Sequence, residues 1–210
     1  MPRENFSRIA RAYRWMEYAS FGHALEHCRF RLLPRLQDRH RALVLGDGDG
    51  RFLHHLLASN HILHADAVDS STAMLRLLAA RCDADRVTLH CSDALTFTPP
   101  HADYGCIISH FFLDCLSTAE CAALVPRLSQ YLSPGGLWIV SEFRVPRSAL
   151  RIPAALLIRA MYAGFRLLTG LRTQHLPAYE QALRTAGFEL AEEQLQLRGL
   201  LVSQAWRKRC

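Results

Sequence analysis

The chain has 210 residues, enough to bury one substantial core, so a single domain over 1–210 is expected. Half of the residues are apolar, 21% are charged, and no apolar run is long enough for a membrane-spanning helix. The net charge is +6, with Lys208 the only lysine among 25 basic residues, and no basic block interleaves with aromatic residues, so a nucleic-acid partner is not expected.

Seven cysteines show no Cys-x-x-Cys pair, and their odd number suits a reducing, cytoplasmic setting. No secretory signal opens the chain, which points the same way. Eleven histidines include the close pairs His54/His55 and His61/His64, but no set with the converging spacing of a metal site. No metal is expected.

In chain order, residues 1–40 read as a helical extension. Phe6, Ile9, Tyr13 and Met16 recur at spacings of three and four, Ser20-Phe21-Gly22 breaks the pattern, and a second helix is predicted from Ala24 to Leu36. The core is predicted over 41–145. Its first strand, Ala42 to Leu45, ends in Gly46-Asp47-Gly48-Asp49-Gly50, and a helix with Leu53, Leu56 and Leu57 on one face follows. Glycines at such a corner let backbone approach a ligand, and the helix N-terminus favours an anionic group. Arg51 stands where a dinucleotide fingerprint needs its third glycine, and no Gly-Lys-Ser/Thr is present. Asp47 and Asp49 would repel a pyrophosphate but accept a cofactor that carries positive charge, and S-adenosylmethionine is such a cofactor.

The second strand, His61 to Val68, ends at Asp69, which is placed to accept both hydroxyls of a ribose; Ser70 or Ser71 can then cap the next helix. The third, Arg86 to Cys91, leads to Asp93-Ala94, where the acid either accepts from an adenine amino group or serves as an ordinary turn residue. A fourth, Tyr104 to Ser109, runs into His110-Phe111-Phe112-Leu113-Asp114. Leu132-Ser133-Pro134-Gly135-Gly136 reads as a helix end and a turn, and Leu137 to Val140 as the fifth strand.

Those strand ends and the Leu-x-Pro-Gly-Gly turn resemble the class I S-adenosylmethionine-dependent methyltransferase family over residues 41–145. The resemblance implies an α/β, Rossmann-like, seven-stranded, mostly parallel sheet of order 3-2-1-4-5-7-6, its last strand antiparallel, with helices on both faces. It implies S-adenosyl-L-methionine as cofactor, held by Gly46, Asp47, Gly48, Asp49, Gly50, Asp69, Ser70, Asp93, Ala94 and His110. Family members often carry an acid where this chain has Val44, so Asp47 or Asp49 would take its place beside the methionine amino group. His110, whose ordinary pKa suits proton transfer at neutral pH, is a candidate general base or a group that only lines the pocket. Asp114 is a second catalytic candidate, either holding His110 or capping the helix that begins near Ser117. In the family an N-terminal extension folds over the site, where Tyr13, Tyr18 and His23 would be its polar members.

Residues 146–174 are predicted as an apolar helical insertion, with Arg151, Arg159 and Arg166 in one quadrant. A lid over the substrate, a homodimer contact and a membrane-surface helix over 150–168 all fit that pattern. Residues 175–210 read as a helix from His175 to Ala186 stopped by Gly187, then two strands joined at Arg198-Gly199. The function expected is methyl transfer to a small, lipophilic or aromatic molecule. A non-catalytic binding or scaffold protein is the alternative, and aminopropyl transfer is disfavoured because the insertion offers no acidic pocket for a polyamine.

Overall fold

A computed structural model describes residues 21–146, 150–169, 173 and 175–209. The predicted first helix, with Tyr13 and Tyr18, lies outside them. The elements run α1 (Ala24–Phe30), a 3-10 turn (Leu33–Leu36), β1 (Arg41–Leu45), α2 (Arg51–Ser59), β2 (His64–Asp69), α3 (Thr72–Ala79), β3 (Val87–Cys91) and β4 (Tyr104–His110). A second 3-10 turn (Leu113–Cys115) follows, then α4 (Thr118–Ser129), β5 (Leu132–Phe143), α5 (Arg151–Thr169), α6 (Tyr179–Thr185), β6 (Phe188–Gln196), a 3-10 turn (Leu197–Gly199) and β7 (Leu201–Lys208).

Seven strands form one sheet in the order β3-β2-β1-β4-β5-β7-β6. β1 to β5 pair in parallel, while β7 is antiparallel to both β5 and β6. The expected topology is therefore present. Alternation along the buried strands feeds two layers. Leu43, Leu45, Ile107, Trp138, Val140 and Trp206 pack under α4 and α6. Ala42, Val44, Cys106, Ile108, Leu137 and Ile139 face the other way, onto Phe52, Leu53, Leu56 and Leu57 of α2.

Four local expectations need correction. The second helix stops at Phe30 and gives way to a 3-10 turn, because Pro34 at its start offers no N–H to an α ladder. β2 begins at His64 rather than His61. Asn60 holds that corner, its side-chain amide donating to the Leu36 and Arg39 carbonyls at 2.7 Å each and its Oδ1 accepting from Ile62 N. β5 begins at Leu132, opposite Tyr104, and regains register at Leu137 opposite Cys106, so Ser133 to Gly136 bulge out within a strand rather than precede it. α6 begins at Tyr179 rather than His175; Gly187, with φ +86°, ends it as predicted.

α5 lies where the insertion was expected. Ala154, Ile158 and Tyr162, four residues apart, form its buried stripe, and Ile158 and Tyr162 pack with Leu25, Cys28, Phe143 and Leu201. Its other side exposes Ile152 (72%) and Leu156 (60%) together with Arg151, Arg159 and Arg166. Among the described residues no helix is long and apolar enough to cross a membrane.

Candidate cofactor site and the end of the fourth strand

The carboxyl ends of β1, β2 and β4, with the turn after β3, converge on one cleft. Nine predicted residues line it: Gly46, Asp47, Gly48, Asp49, Asp69, Ser70, Asp93, Ala94 and His110. Gly50 and Asp114 are not part of that lining. The cleft holds about 1080 Å³ of empty space, open solvent at its mouth included.

The three loop glycines do different work. All take positive φ: +62° at Gly46, +64° at Gly48 and +78° at Gly50. A Cβ at Gly46 would fall 2.6 Å from the Phe112 ring, and one at Gly50 would fall 2.8 Å from Leu78 Cγ. Those two glycines admit neighbours of the fold. Gly48 has nothing within 4 Å of its would-be Cβ and faces the cleft, so its bare backbone makes room for a ligand.

The two loop acids also part company. Asp49 is paired twice, with Arg51 Nε at 2.9 Å and with an Arg81 guanidinium nitrogen at 3.1 Å. Asp47 Oδ2 accepts from Leu53 N at 3.0 Å, capping α2. Burial pushes the Asp47 carboxyl up to about 7, against the smaller opposing effects of that bond and of the Arg29 charge. Of the two, Asp47 is the acid whose charge still asks for a partner.

At β2 the cap of α3 is Ser71, whose Oγ accepts from Met74 N at 3.3 Å. Asp69 Oδ1 accepts from Ser71 N at 2.7 Å, and burial raises this carboxyl to about 6. After β3, Asp93 Oδ1 accepts from Leu95 N at 2.9 Å, so it shapes its own turn while lining the cleft.

His110 is buried at the end of β4. Its Nδ1 lies 2.9 Å from Ser141 Oγ, its ring meets Phe52 edge-on at 4.2 Å between centroids, and its Nε2 has no partner. Burial, aided by the charge of Arg29, lowers its pKa to about 3. The expected near-neutral pKa is therefore overturned: burial holds the ring uncharged. Asp114 takes neither expected role. Ser117 caps α4 through a capping box with Glu120, and the partner of His110 Nδ1 is Ser141. Asp114 is buried in the 3-10 turn behind the cleft, where Cys115 Sγ donates to its Oδ1 at 3.6 Å and Tyr162 Oη donates to its carbonyl at 2.9 Å.

Several residues of this region escaped the sequence reading. Glu142 is fully buried, and its Oε1 accepts from Phe112 N at 3.2 Å and Leu113 N at 2.8 Å, fixing the turn after β4. Burial and the neighbouring Asp114 raise its pKa well above the carboxylate range. The signal was present: Ser141 and Glu142 interrupt the apolar run from Leu137 to Phe143. Phe111 has φ +51°, a strained value for a bulky residue, and Arg29 of α1 sits over its ring at 5.1 Å. Arg29, Phe111, Phe112, Cys115 and Leu116 line the cleft beyond the cofactor loop. His23, by contrast, projects into solvent beside His27 and Glu26 and is not part of the lining. Among the described residues no group of three or more His, Cys, Asp or Glu could hold a metal ion.

Residues 42–136 match a family profile described as "Methyltransferase domain". A polyamine aminopropyltransferase 2 of Bacillus cereus is 30% identical over 122 residues, 51% of this chain and 33% of that protein. This chain thus matches about a third of the length of that curated relative. The 1,6-didemethyltoxoflavin-N1-methyltransferase of Burkholderia thailandensis, solved with bound 1,6-didemethyltoxoflavin and S-adenosylhomocysteine, superposes with a TM-score of 0.69 at 17% identity, over 98% of this chain and 86% of that one. The S-adenosylmethionine-dependent methyltransferase SibL superposes with a TM-score of 0.70 at 21% identity, over 100% and 63%. The profile match falls on the glycine corner and the strand ends, and the sheet order 3-2-1-4-5-7-6 gives the whole chain the fold of these solved methyltransferases.

Proposed function

We propose that this chain uses S-adenosylmethionine to methylate a small, lipophilic or aromatic molecule. The observation that carries the reading is the pairing of an open glycine cradle at Gly48 with two half-buried, raised carboxylates, Asp47 and Asp69, in one cleft. Acids with elevated pKa gain most from a ligand that brings hydrogen-bond donors or positive charge. The cofactor brings both: ribose hydroxyls for Asp69 and an ammonium for Asp47. Asp93 and Ala94 would flank the adenine, and Ser70 the sugar. When bound, the cofactor supplies a methyl group already made electrophilic by its sulfonium.

The chain's own work is then to orient and to exclude water. Phe111, Phe112, Cys115 and Leu116 give the cleft an apolar end suited to a planar acceptor. α5 packs over Phe111 and Cys115, which supports its reading as a lid. The neutral His110 ring faces the reacting region as an uncharged group. His110→Ala is expected to lower turnover far more than cofactor affinity; unchanged turnover would make His110 a bystander.

The Bacillus cereus relative raises a second reading, aminopropyl transfer from the decarboxylated cofactor. The acceptor end favours methyl transfer, because Phe111, Phe112, Cys115 and Leu116 outweigh Glu120, the acid beside them, and Arg29 would repel a polyamine and suits the carboxylate that the decarboxylated cofactor lacks. Calorimetric titration separates the readings. S-adenosylhomocysteine should bind wild type, more weakly by about tenfold to a hundredfold with Asp69→Asn, the cost of about one or two charge-assisted hydrogen bonds. Tighter binding of 5′-methylthioadenosine than of S-adenosylhomocysteine would favour aminopropyl transfer. No binding of either would leave a scaffold.

A further inference from the structure

Three polar residues stand side by side across the otherwise apolar α2 face of the sheet. His110 of β4 is the registered neighbour of Ser141 on β5, and Ser141 that of Ser203 on β7. They follow Cys106 and Ile108 on one strand and Leu137 and Ile139 on the next, so the apolar pattern breaks at one level on each. All three are buried, at 4%, 0% and 1% exposure. A buried polar row must find its partners internally.

It finds them in α1. The Cys28 carbonyl accepts from Ser141 Oγ at 3.2 Å and from Ser203 Oγ at 2.7 Å. A serine has one hydroxyl proton. With that proton on the Cys28 carbonyl, Ser141 Oγ can only accept from His110, so Nδ1 carries the hydrogen. The opposite arrangement, with Ser141 donating to Nδ1, gives up the bond to Cys28 and strands an N–H at Nε2. The first arrangement keeps one more hydrogen bond and leaves a lone pair at Nε2, the atom without a partner.

We propose that Ser141 is a positioning residue that locks His110 in the Nδ1–H form, so that Nε2 serves the cleft as a lone-pair acceptor for a ligand group bearing its own N–H or O–H. The proposal rests on the methyltransferase reading for the occupant of the cleft, but not for the tautomer. Two sources supply that chemistry: the ammonium of the cofactor's amino-acid end, or a neutral hydroxyl or amine on the methyl acceptor. In either case a group that can only accept hydrogen bonds, such as a carboxylate, finds no welcome at this nitrogen. Selection by an unpaired buried acceptor is strong, because the wrong ligand leaves it unpaired.

The experiment uses protein labelled with 15N-histidine and two-bond proton–nitrogen correlation spectra at pH 7. Wild type is expected to show His110 as a single neutral Nδ1–H tautomer, Ser141→Thr to keep it, and Ser141→Ala to give a mixture or the Nε2–H form. S-adenosylhomocysteine is then added alone, followed by phenol or benzoate. A shift of the Nε2 resonance with S-adenosylhomocysteine assigns the donor to the cofactor; a shift only when phenol follows assigns it to the acceptor. An Nε2–H tautomer or an imidazolium in wild type overturns the proposal, as does an unchanged tautomer in Ser141→Ala. So does an Nε2 resonance that answers neither S-adenosylhomocysteine nor phenol, or that answers benzoate. Failure of methyl transfer itself would show instead as no heat with S-adenosylhomocysteine, while the tautomer pattern of the free protein stood.

Discussion

The same substitution at two glycines of one loop should produce opposite defects. Gly48 and Gly50 both take positive φ, so alanine at either costs about 1–2 kcal/mol of backbone strain. At Gly48 little more is lost from the fold, since nothing lies within 4 Å of the new methyl group. At Gly50 the methyl would meet Leu78 at 2.8 Å from Cγ and 3.0 Å from Cα. The side chain could turn aside, but the α3 backbone must also move, and overpacking of that kind adds about 1–3 kcal/mol. Gly50→Ala should therefore lose about 2–5 kcal/mol in urea unfolding, against about 1–2 kcal/mol for Gly48→Ala. Binding should rank the other way. The Gly48 methyl enters the cleft and should weaken S-adenosylhomocysteine by about tenfold or more, or at least ~1.4 kcal/mol, by calorimetry. Folded Gly50→Ala should bind nearly as wild type. Wild-type affinity in Gly48→Ala, or equal unfolding midpoints for the two variants, would refute this division of labour.

Two further outcomes follow from the charges and the surface. The raised carboxyls of Asp47, to about 7, and Asp69, to about 6, mean that the folded, ligand-free protein holds these protons more tightly than the unfolded chain. Their stabilising contribution is complete below the unfolded carboxylate pKa of about 4 and is lost as pH rises through 6 to 7. His110 works in the opposite sense, below its unfolded pKa of about 6.5 and down to about 3, so the carboxyl effect stands clear of it above pH 6.5. Urea midpoints should thus fall between pH 6.5 and 8 in wild type and fall less in Asp47→Asn, whose amide oxygen can still cap Leu53; equal slopes would contradict the buried charge. On α5, if the exposed Ile152 and Leu156 beside Arg151 and Arg159 lie on a membrane, the protein should float with anionic vesicles and Ile152→Glu/Leu156→Glu should not. Absence of flotation in wild type would leave the lid or a dimer contact.

Much of this molecule could be read from the chain because the signals are local. An apolar run that ends in glycine, a carboxylate at the next strand end and a 3.6-residue stripe in the following helix each need only a few neighbouring residues to declare themselves. From those and the family resemblance came the sheet order, the parallel core and nine of the cleft's residues. The roles of particular side chains were settled by contacts between residues far apart in sequence. Asp47 and Asp49 look alike in the loop; only the approach of Arg81 from the end of α3 neutralises one more fully than the other. His110 looks like a base poised near neutrality until Phe52, Ser141 and Arg29 enclose it, and exclusion of water then disfavours its charge. Asp114 looks like a catalytic partner until Glu142, a strand away, takes hold of the turn that carries it. Pattern along the chain determines which elements form and where their ends meet. Burial and charge at those ends are properties of the whole packed molecule, because desolvation and electrostatic coupling depend on what surrounds a group in space rather than on what precedes it in sequence.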